Sequence, residues 1–221
     1  MDNGIDSGTN EARQFWEERY GGTDRVWSGR VNARLAEVAA GMTPGSALDL
    51  GCGEGADVLW LAEKGWHVVG VDISENALRR AAAEARARNI TDRIDFQRHD
   101  LSESFPDGTF DLVSAQYLHS PARLDRDAIL RRAAASVKPG GVLLIVDHAE
   151  APPWMRRGNH HQHHDFPSTG QVIESLQLDR RRWQQVRVET AERETAGPDG
   201  QPATLRDNII VLRRLDGQAA S

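Results

Sequence analysis

The segment Asp49-Leu50-Gly51-Cys52-Gly53-Glu54-Gly55 constrains this chain more than any other. It closes a short apolar run, Ser46 to Leu50, and leads into an amphipathic one, Ala56 to Lys64. Strand, glycine-rich turn and helix in that order bring backbone N–H groups and a helix N-terminus up to a polar ligand. A second apolar run, Trp66 to Val71, ends in Asp72, where a carboxylate can accept hydrogen bonds from both hydroxyls of a ribose. Together these features predict an α/β fold that holds a nucleoside-containing cofactor.

Glycine spacing bears on which cofactor. The dinucleotide fingerprint is G-x-G-x-x-G, whereas this chain has G-x-G-x-G with an acid two residues before the first glycine. No Lys-Ser/Thr pair follows, so a triphosphate cradle is not indicated. Taken alone, the glycines could simply make a tight turn. The pattern resembles the first motif of class I S-adenosylmethionine-dependent methyltransferases.

Further landmarks of that family arrive in order. A helix from Ser74 to Arg88 precedes a third strand, Arg93 to Arg98, which ends in His99-Asp100-Leu101. A fourth strand follows Phe105-Pro-Asp-Gly-Thr and carries Phe110-Asp111-Leu112-Val113, similar to the family's F-D-x-V strand. Val137-Lys138-Pro139-Gly140-Gly141 and then Val142 to Val146 are similar to its fifth. The resemblance implies a doubly wound, Rossmann-like, seven-stranded α/β sheet with helices on both faces and the last strand antiparallel. It implies S-adenosyl-L-methionine as cofactor and S-adenosyl-L-homocysteine as product. The cofactor residues by this resemblance are Asp49, Gly51, Gly53, Gly55, Asp72, Ile73, Asp100, Leu101 and Gln116. Asp72 would hold the ribose, Asp100 the adenine amino group, and Leu101 would pack on the ring.

Composition agrees. A chain of 221 residues suits one catalytic domain, and its net charge of −6 argues against a polyanionic partner. The arginine pairs read as solvated surface. One cysteine excludes an internal disulfide and fits a reducing cytosol, so a cytoplasmic location is expected. No apolar run approaches 18 residues and the start of the chain is polar, so neither membrane span nor signal peptide is expected.

Four segments are expected: a disordered stretch over 1–8, a helical lid over 9–44, the cofactor domain over 45–215 and a flexible tail over 216–221. The lid helix is expected to start with Thr9 or Asn10 as cap and to carry Phe15, Trp16 and Tyr20 on one face. A second helix is expected over Val31 to Ala40. The string Phe15-Trp16-Glu17-Glu18-Arg19-Tyr20, with Trp27 and Asn32-Ala-Arg-Leu35, resembles the lid of tellurite-resistance and thiopurine methyltransferases. In the C-terminal third, a helix over Thr169 to Leu176 with Ser168 as cap precedes strands over Trp183 to Glu194 and Ala203 to Arg214.

The methyl acceptor is the open question. Ligands bind beyond the carboxyl ends of parallel strands, which nominates His119 and His148 as catalytic bases. Trp16, Tyr20, Trp27, Tyr117 and His160 are the candidate substrate residues. A base is needed for a phenol or alcohol, but not for a thiol or chalcogen oxyanion. The cluster His160-His161-Gln162-His163-His164 reads as a metal site, a substrate-facing flap or a solvated loop. Adjacent histidines give no defined metal geometry, so no metal ligand is assigned. The fourth strand does not end in the Asp/Asn-Pro-Pro-Tyr/Phe used to grip a flipped base. A small-molecule acceptor, no nucleic-acid or membrane partner, and a monomer or homodimer are therefore expected. Two other functions fit a similar fold: an NAD(P)-dependent oxidoreductase and a catalytically silent cofactor-binding regulator.

Overall fold

Alternating apolar side chains build the centre of the molecule. The computed structural model describes residues 6–121, 124–154, 166–197 and 200–216. Strands β1 (Ser46–Leu50), β2 (His67–Asp72), β3 (Ile94–Arg98), β4 (Phe110–Gln116) and β5 (Val137–His148) pair in parallel. Strands β6 (Trp183–Ala196) and β7 (Pro202–Arg214) form a hairpin, with β7 antiparallel to β5. The sheet order is β3-β2-β1-β4-β5-β7-β6. This is the seven-stranded doubly wound sheet expected from sequence, including the reversed last strand.

Strands buried on both faces read as continuous apolar runs, and successive side chains serve opposite cores. Along β5, Leu143 and Ile145 enter one core while Leu144 and Val146 enter the other. Helices α2 (Ala33–Ala40) and α3 (Ala56–Glu63) cover the second core through Leu35, Val58 and Leu61. Helices α5 (Arg126–Ala135) and α6 (Thr169–Ser175) cover the first through Ile129, Leu130 and Val172. Each such side chain contributes about 1.5–3 kcal/mol. Helix α4 (Glu75–Ala87) buries Ala77, Leu78, Ala81 and Ala85, a helical spacing, beneath a Ser74 cap whose Oγ accepts from Ala77 N at 3.2 Å. Ser168 caps α6 as expected, in a capping box with Gln171.

Three local expectations are corrected. Helix α1 (Asp6–Arg19) begins inside the stretch expected to be disordered, so neither Thr9 nor Asn10 caps it. Phe15, Trp16 and Tyr20 do not share one face, since adjacent helical residues diverge by about 100°. Tyr20 is buried and stacks on Trp16 at 5.9 Å, whereas Phe15 is 42% exposed and meets Trp16 edge-on at 5.2 Å. Helix α2 starts at Ala33 because Asn32 leaves the helix to accept the N–H of Arg34 at 3.0 Å. Residues 1–5 of the N-terminal stretch and 217–221 of the expected tail lie outside the described residues. Among the described residues, no helix is long and apolar enough to cross a membrane.

Candidate active site

Strand order reverses between β1 and β4, and a crevice opens beyond the carboxyl ends of strands at such a point. The glycine loop occupies it. Gly51 N and Cys52 N both donate to Val71 O at 2.9 Å, and Gly53 N donates to Asp72 Oδ2 at 2.8 Å. The other oxygen of Asp72 accepts Ser74 N at 2.9 Å, so one carboxylate fixes both the loop and the start of α4. Gly53 and Gly55 are required. Both have left-handed backbone, with φ of 53° and 79°. A Cβ at Gly53 would lie 2.9 Å from Tyr20 Oη, and one at Gly55 would lie 2.7 Å from Ala81 Cβ.

Three acids converge here: the buried Asp49 below the loop, the buried Asp72, and the half-buried Asp57 in the first turn of α3. Burial, then the charge of Asp57, pushes Asp49 well above the ordinary carboxylate range. Burial likewise raises Asp57 and Asp72 to about 6. Their hydrogen bonds come from backbone N–H groups and Ser114, and among the described residues none of the three pairs with an arginine or lysine. Such a site favours a cationic ligand and opposes a pyrophosphate. Burial, then Asp72 and Asp49, also keeps the Cys52 thiol protonated, consistent with its reading as a small turn residue.

The remaining cofactor candidates line the same edge. His99 N donates to Asp72 O at 3.1 Å, which draws Asp100 and the buried Leu101 to the end of β2, beside the half-buried Ile73. Gln116 donates to Ser114 Oγ at 3.1 Å, while its Oε1 is buried with no hydrogen-bond partner among the described residues. An orphaned buried acceptor, a glycine cradle and a cation-seeking floor fit S-adenosylmethionine, with its sulfonium, amino group and ribose.

The N-terminal segment is clasped over this crevice. Glu54, 4% exposed, accepts Val26 N at 3.0 Å and Trp27 N at 3.1 Å and pairs with Arg80 at 2.7 Å. Arg80 in turn donates to the carbonyls of Asp24 and Gly22. Asp57 accepts Asn32 N at 2.6 Å. Glu17 caps α4 by accepting Glu75 N at 2.8 Å and Asn76 N at 3.1 Å, the favourable place for an anion. Tyr20 Oη accepts Trp27 Nε1 at 2.8 Å directly over Gly53.

A cleft of about 280 Å³ adjoins this clasp, lined by Phe15, Trp16, Arg19, Trp27, His119, Ser120 and Pro121. Trp16 Nε1 donates to Ser120 Oγ at 3.4 Å across it. His119 Nε2 lies 3.5 Å from Asp147 Oδ1, and the buried Asp147 also pairs with Arg126. Burial raises the Asp147 carboxyl, and Arg126 offsets only part of that. The second histidine belongs to a different group. His148 Nδ1 is 3.2 Å from Asp207 Oδ1 and stacks on Tyr117 at 4.5 Å, while Arg193 donates to Asp207 at 2.6 Å. Burial pushes Asp207 up, but its bonds from His148, Arg193 and Tyr117 outweigh that and hold it low. His148 and Tyr117 thus do not line the cleft that holds Trp16, Trp27 and His119. A larger cleft of about 470 Å³, lined by residues 41–45, Asp111, Gly140, Gly141 and Arg213, lies at the opposite end of the sheet. His160 and its neighbouring histidines lie outside the described residues.

Sequence reading passed over Glu17, Glu54, Asp57, Asp147 and Asp207. Two of them carried a signal. Glu54 lies inside the glycine motif, and Asp147 is an acid ending an apolar strand next to a nominated histidine. Asp207 had none, because its partners His148, Arg193 and Tyr117 meet it only after the hairpin folds.

Residues 47–141 match the family model described as a methyltransferase domain. A 27-O-demethylrifamycin SV methyltransferase of Amycolatopsis mediterranei is 32% identical over 160 residues, 67% of this chain and 58% of that protein. The chain spans 36%, 58% and 34% of the length of three curated relatives it matches. Among solved structures, one from work on conversion of a disulfide bond into a thioacetal group during echinomycin biosynthesis has a TM-score of 0.70. It is 20% identical and covers 96% of this chain and 93% of that one. TehB from Haemophilus influenzae has a TM-score of 0.64 at 18% identity, over 93% of this chain and 67% of that one. At such identities, these likenesses concern the fold.

Proposed function

We propose that this chain, whose residues 47–141 match a methyltransferase-domain model, transfers a methyl group from S-adenosylmethionine to a small-molecule nucleophile. The acceptors considered are a thiol, a chalcogen oxyanion and a phenol-type hydroxyl. The observation that carries this reading is the trio Asp49, Asp57 and Asp72, gathered around a glycine loop with no arginine or lysine paired to them among the described residues. A nicotinamide dinucleotide would bring its pyrophosphate to that floor, against Coulomb's law. The comparison with a rifamycin methyltransferase supports a small organic acceptor.

When bound, S-adenosylmethionine supplies a methyl carbon on a sulfonium that departs as a neutral thioether. The chain's own residues bind and orient. The glycine loop would admit close approach, Asp72 and Asp100 would accept from ribose and adenine, and Leu101 would pack on the ring. Gln116 Oε1 would accept from the cofactor's methionine end, and the Tyr20–Trp27 pair would close the top and exclude water. Proximity and collinearity supply most of the rate in such a displacement.

Calorimetric titration with S-adenosylmethionine, and separately with NADH and NADPH, tests the cofactor. Binding of the sulfonium alone is expected, and binding of a dinucleotide alone would overturn the reading. Mass spectrometry of products from panels of thiols, hydroxyls, amines and oxyanions then tests the transfer.

A further inference from the structure

Resting on that reading, we infer that the acceptor is a planar aromatic hydroxyl compound, bound in the Phe15–Trp16–Trp27 cleft, with His119 as its base and Asp147 as the positioning residue behind His119. Four large apolar side chains among the described residues are exposed, and two of them, Phe15 at 42% and Trp27 at 51%, line this one cleft. Aromatic faces left open beside a glycine loop serve a ligand better than they serve the fold. The cleft's volume of about 280 Å³ sits at the small end of ligand sites, which suits one or two fused rings. A hydrated oxyanion would gain nothing from Phe15 and two indoles.

The polar groups of the cleft define the reacting atom. Arg19, whose guanidinium lies 5.8 Å from the Trp27 ring centroid, gives the rim a positive charge that favours a developing phenolate. His119 Nε2 lies 3.5 Å from Asp147 Oδ1, so a buried carboxylate stands beside the ring and stabilises the imidazolium that forms when the ring takes a proton. A phenol ionises near pH 10 and needs such a base, whereas a thiol ionises closer to neutrality and would leave the pair idle. The balance is simple. An oxygen lone pair forms the new C–O bond as the S–CH₃ bond breaks and its electron pair stays on sulfur. The hydroxyl proton passes to His119, and the resulting imidazolium faces the Asp147 carboxylate. Asp147 also meets Arg126 from α5, with His148 and Asp207 as its further titratable neighbours.

The test uses 1-naphthol, 2-mercaptoethanol and tellurite with the 221-residue chain. Without cofactor, 1-naphthol is expected to quench tryptophan fluorescence saturably, with affinity weakened about tenfold or more in Trp27→Ala. With S-adenosylmethionine, 1-naphthol is expected to yield its methyl ether. His119→Gln is expected to lower kcat by roughly a hundredfold or more, with cofactor affinity retained. It is also expected to abolish the rise of turnover with pH, which a merely structural role would leave in place. Asp147→Asn is expected to shift that rise while keeping the 1-naphthol affinity. Cofactor binding with transfer only to 2-mercaptoethanol or tellurite would overturn this inference and leave the methyltransferase reading standing. A His119→Gln enzyme with unchanged kcat and pH profile would remove the base. Failure to bind S-adenosylmethionine would overturn both.

Discussion

The carboxylate of Asp72 accepts the backbone N–H of Gly53 at 2.8 Å, and so ties the end of β2 to the middle of the glycine loop. Its second oxygen holds Ser74 N. One side chain therefore shapes the cradle that it also helps to line. Asp72→Ala is expected to weaken S-adenosylmethionine binding at least about tenfold, from loss of charge-assisted bonds of roughly 1.5–3 kcal/mol. Asp72→Asn keeps one carbonyl acceptor and is expected to fall between the two. Calorimetry decides it: full affinity in the alanine variant removes Asp72 from the site.

The same burial makes the site sensitive to pH. Asp57 and Asp72 titrate near 6 in the folded chain, above the ordinary carboxylate value of 3.8. Between those values the folded protein holds protons that the unfolded chain has released. The penalty for these two groups is thus complete above pH 6 and fades as pH falls toward 3.8. A cationic ligand prefers the ionised carboxylates, so its affinity has the opposite slope. Cofactor affinity is expected to drop as pH falls through about 6, while the ligand-free protein keeps or gains thermal stability over the same window. Melting curves and titrations in matched buffers from about pH 5 to 8 check both signs.

Two loop glycines are expected to fail differently. Gly53→Ala forces a left-handed backbone and pushes on Tyr20 Oη, the far end of a side chain that can move. It is expected to cost about 1–2 kcal/mol of stability and to weaken cofactor binding as Tyr20 shifts. Gly55→Ala drives its Cβ into Ala81 and must part α3 from α4. That overpacking adds roughly 1–3 kcal/mol to the same backbone cost. Urea unfolding of both variants checks the order, and a Gly55→Ala protein as stable as the parent would refute the packing account.

Glu54 holds the clasp. Replacing it by Gln removes the negative charge that meets Arg80 and the Val26 and Trp27 amides. Amide exchange over residues 22–27 is expected to accelerate about tenfold or more, while β1, β4 and β5 stay protected. Uniform protection across the N-terminal segment in the variant would show that the clasp rests on the aromatics instead.

Much of the fold was legible because its signals are local. β1, β2 and β7 lie within a residue or two of where their apolar patterns put them, since the segments buried on both faces, such as Ile209 to Leu212 of β7, are apolar runs. The glycine motif was legible for a related reason: positive φ at consecutive turns leaves few other residues a place. Asn32 as a cap and Asp6 as a helix start were not. Competing propensities of similar size surround those ends, and docking decides between them.

The order of chemistry along the chain belonged to the sequence: acids near the ends of β1, β2, β3 and β5, glycines between, aromatics ahead. Which acid serves which partner did not. His119 and His148 look alike as residues past neighbouring strands, yet one faces an aromatic cleft with Asp147 behind it and the other packs on Tyr117 with Asp207. That division arises only once β7 is laid beside β5 and α1 is folded over the loop. Contacts between groups far apart in the chain have no local pattern to announce them, because they form only when the folded chain brings them together.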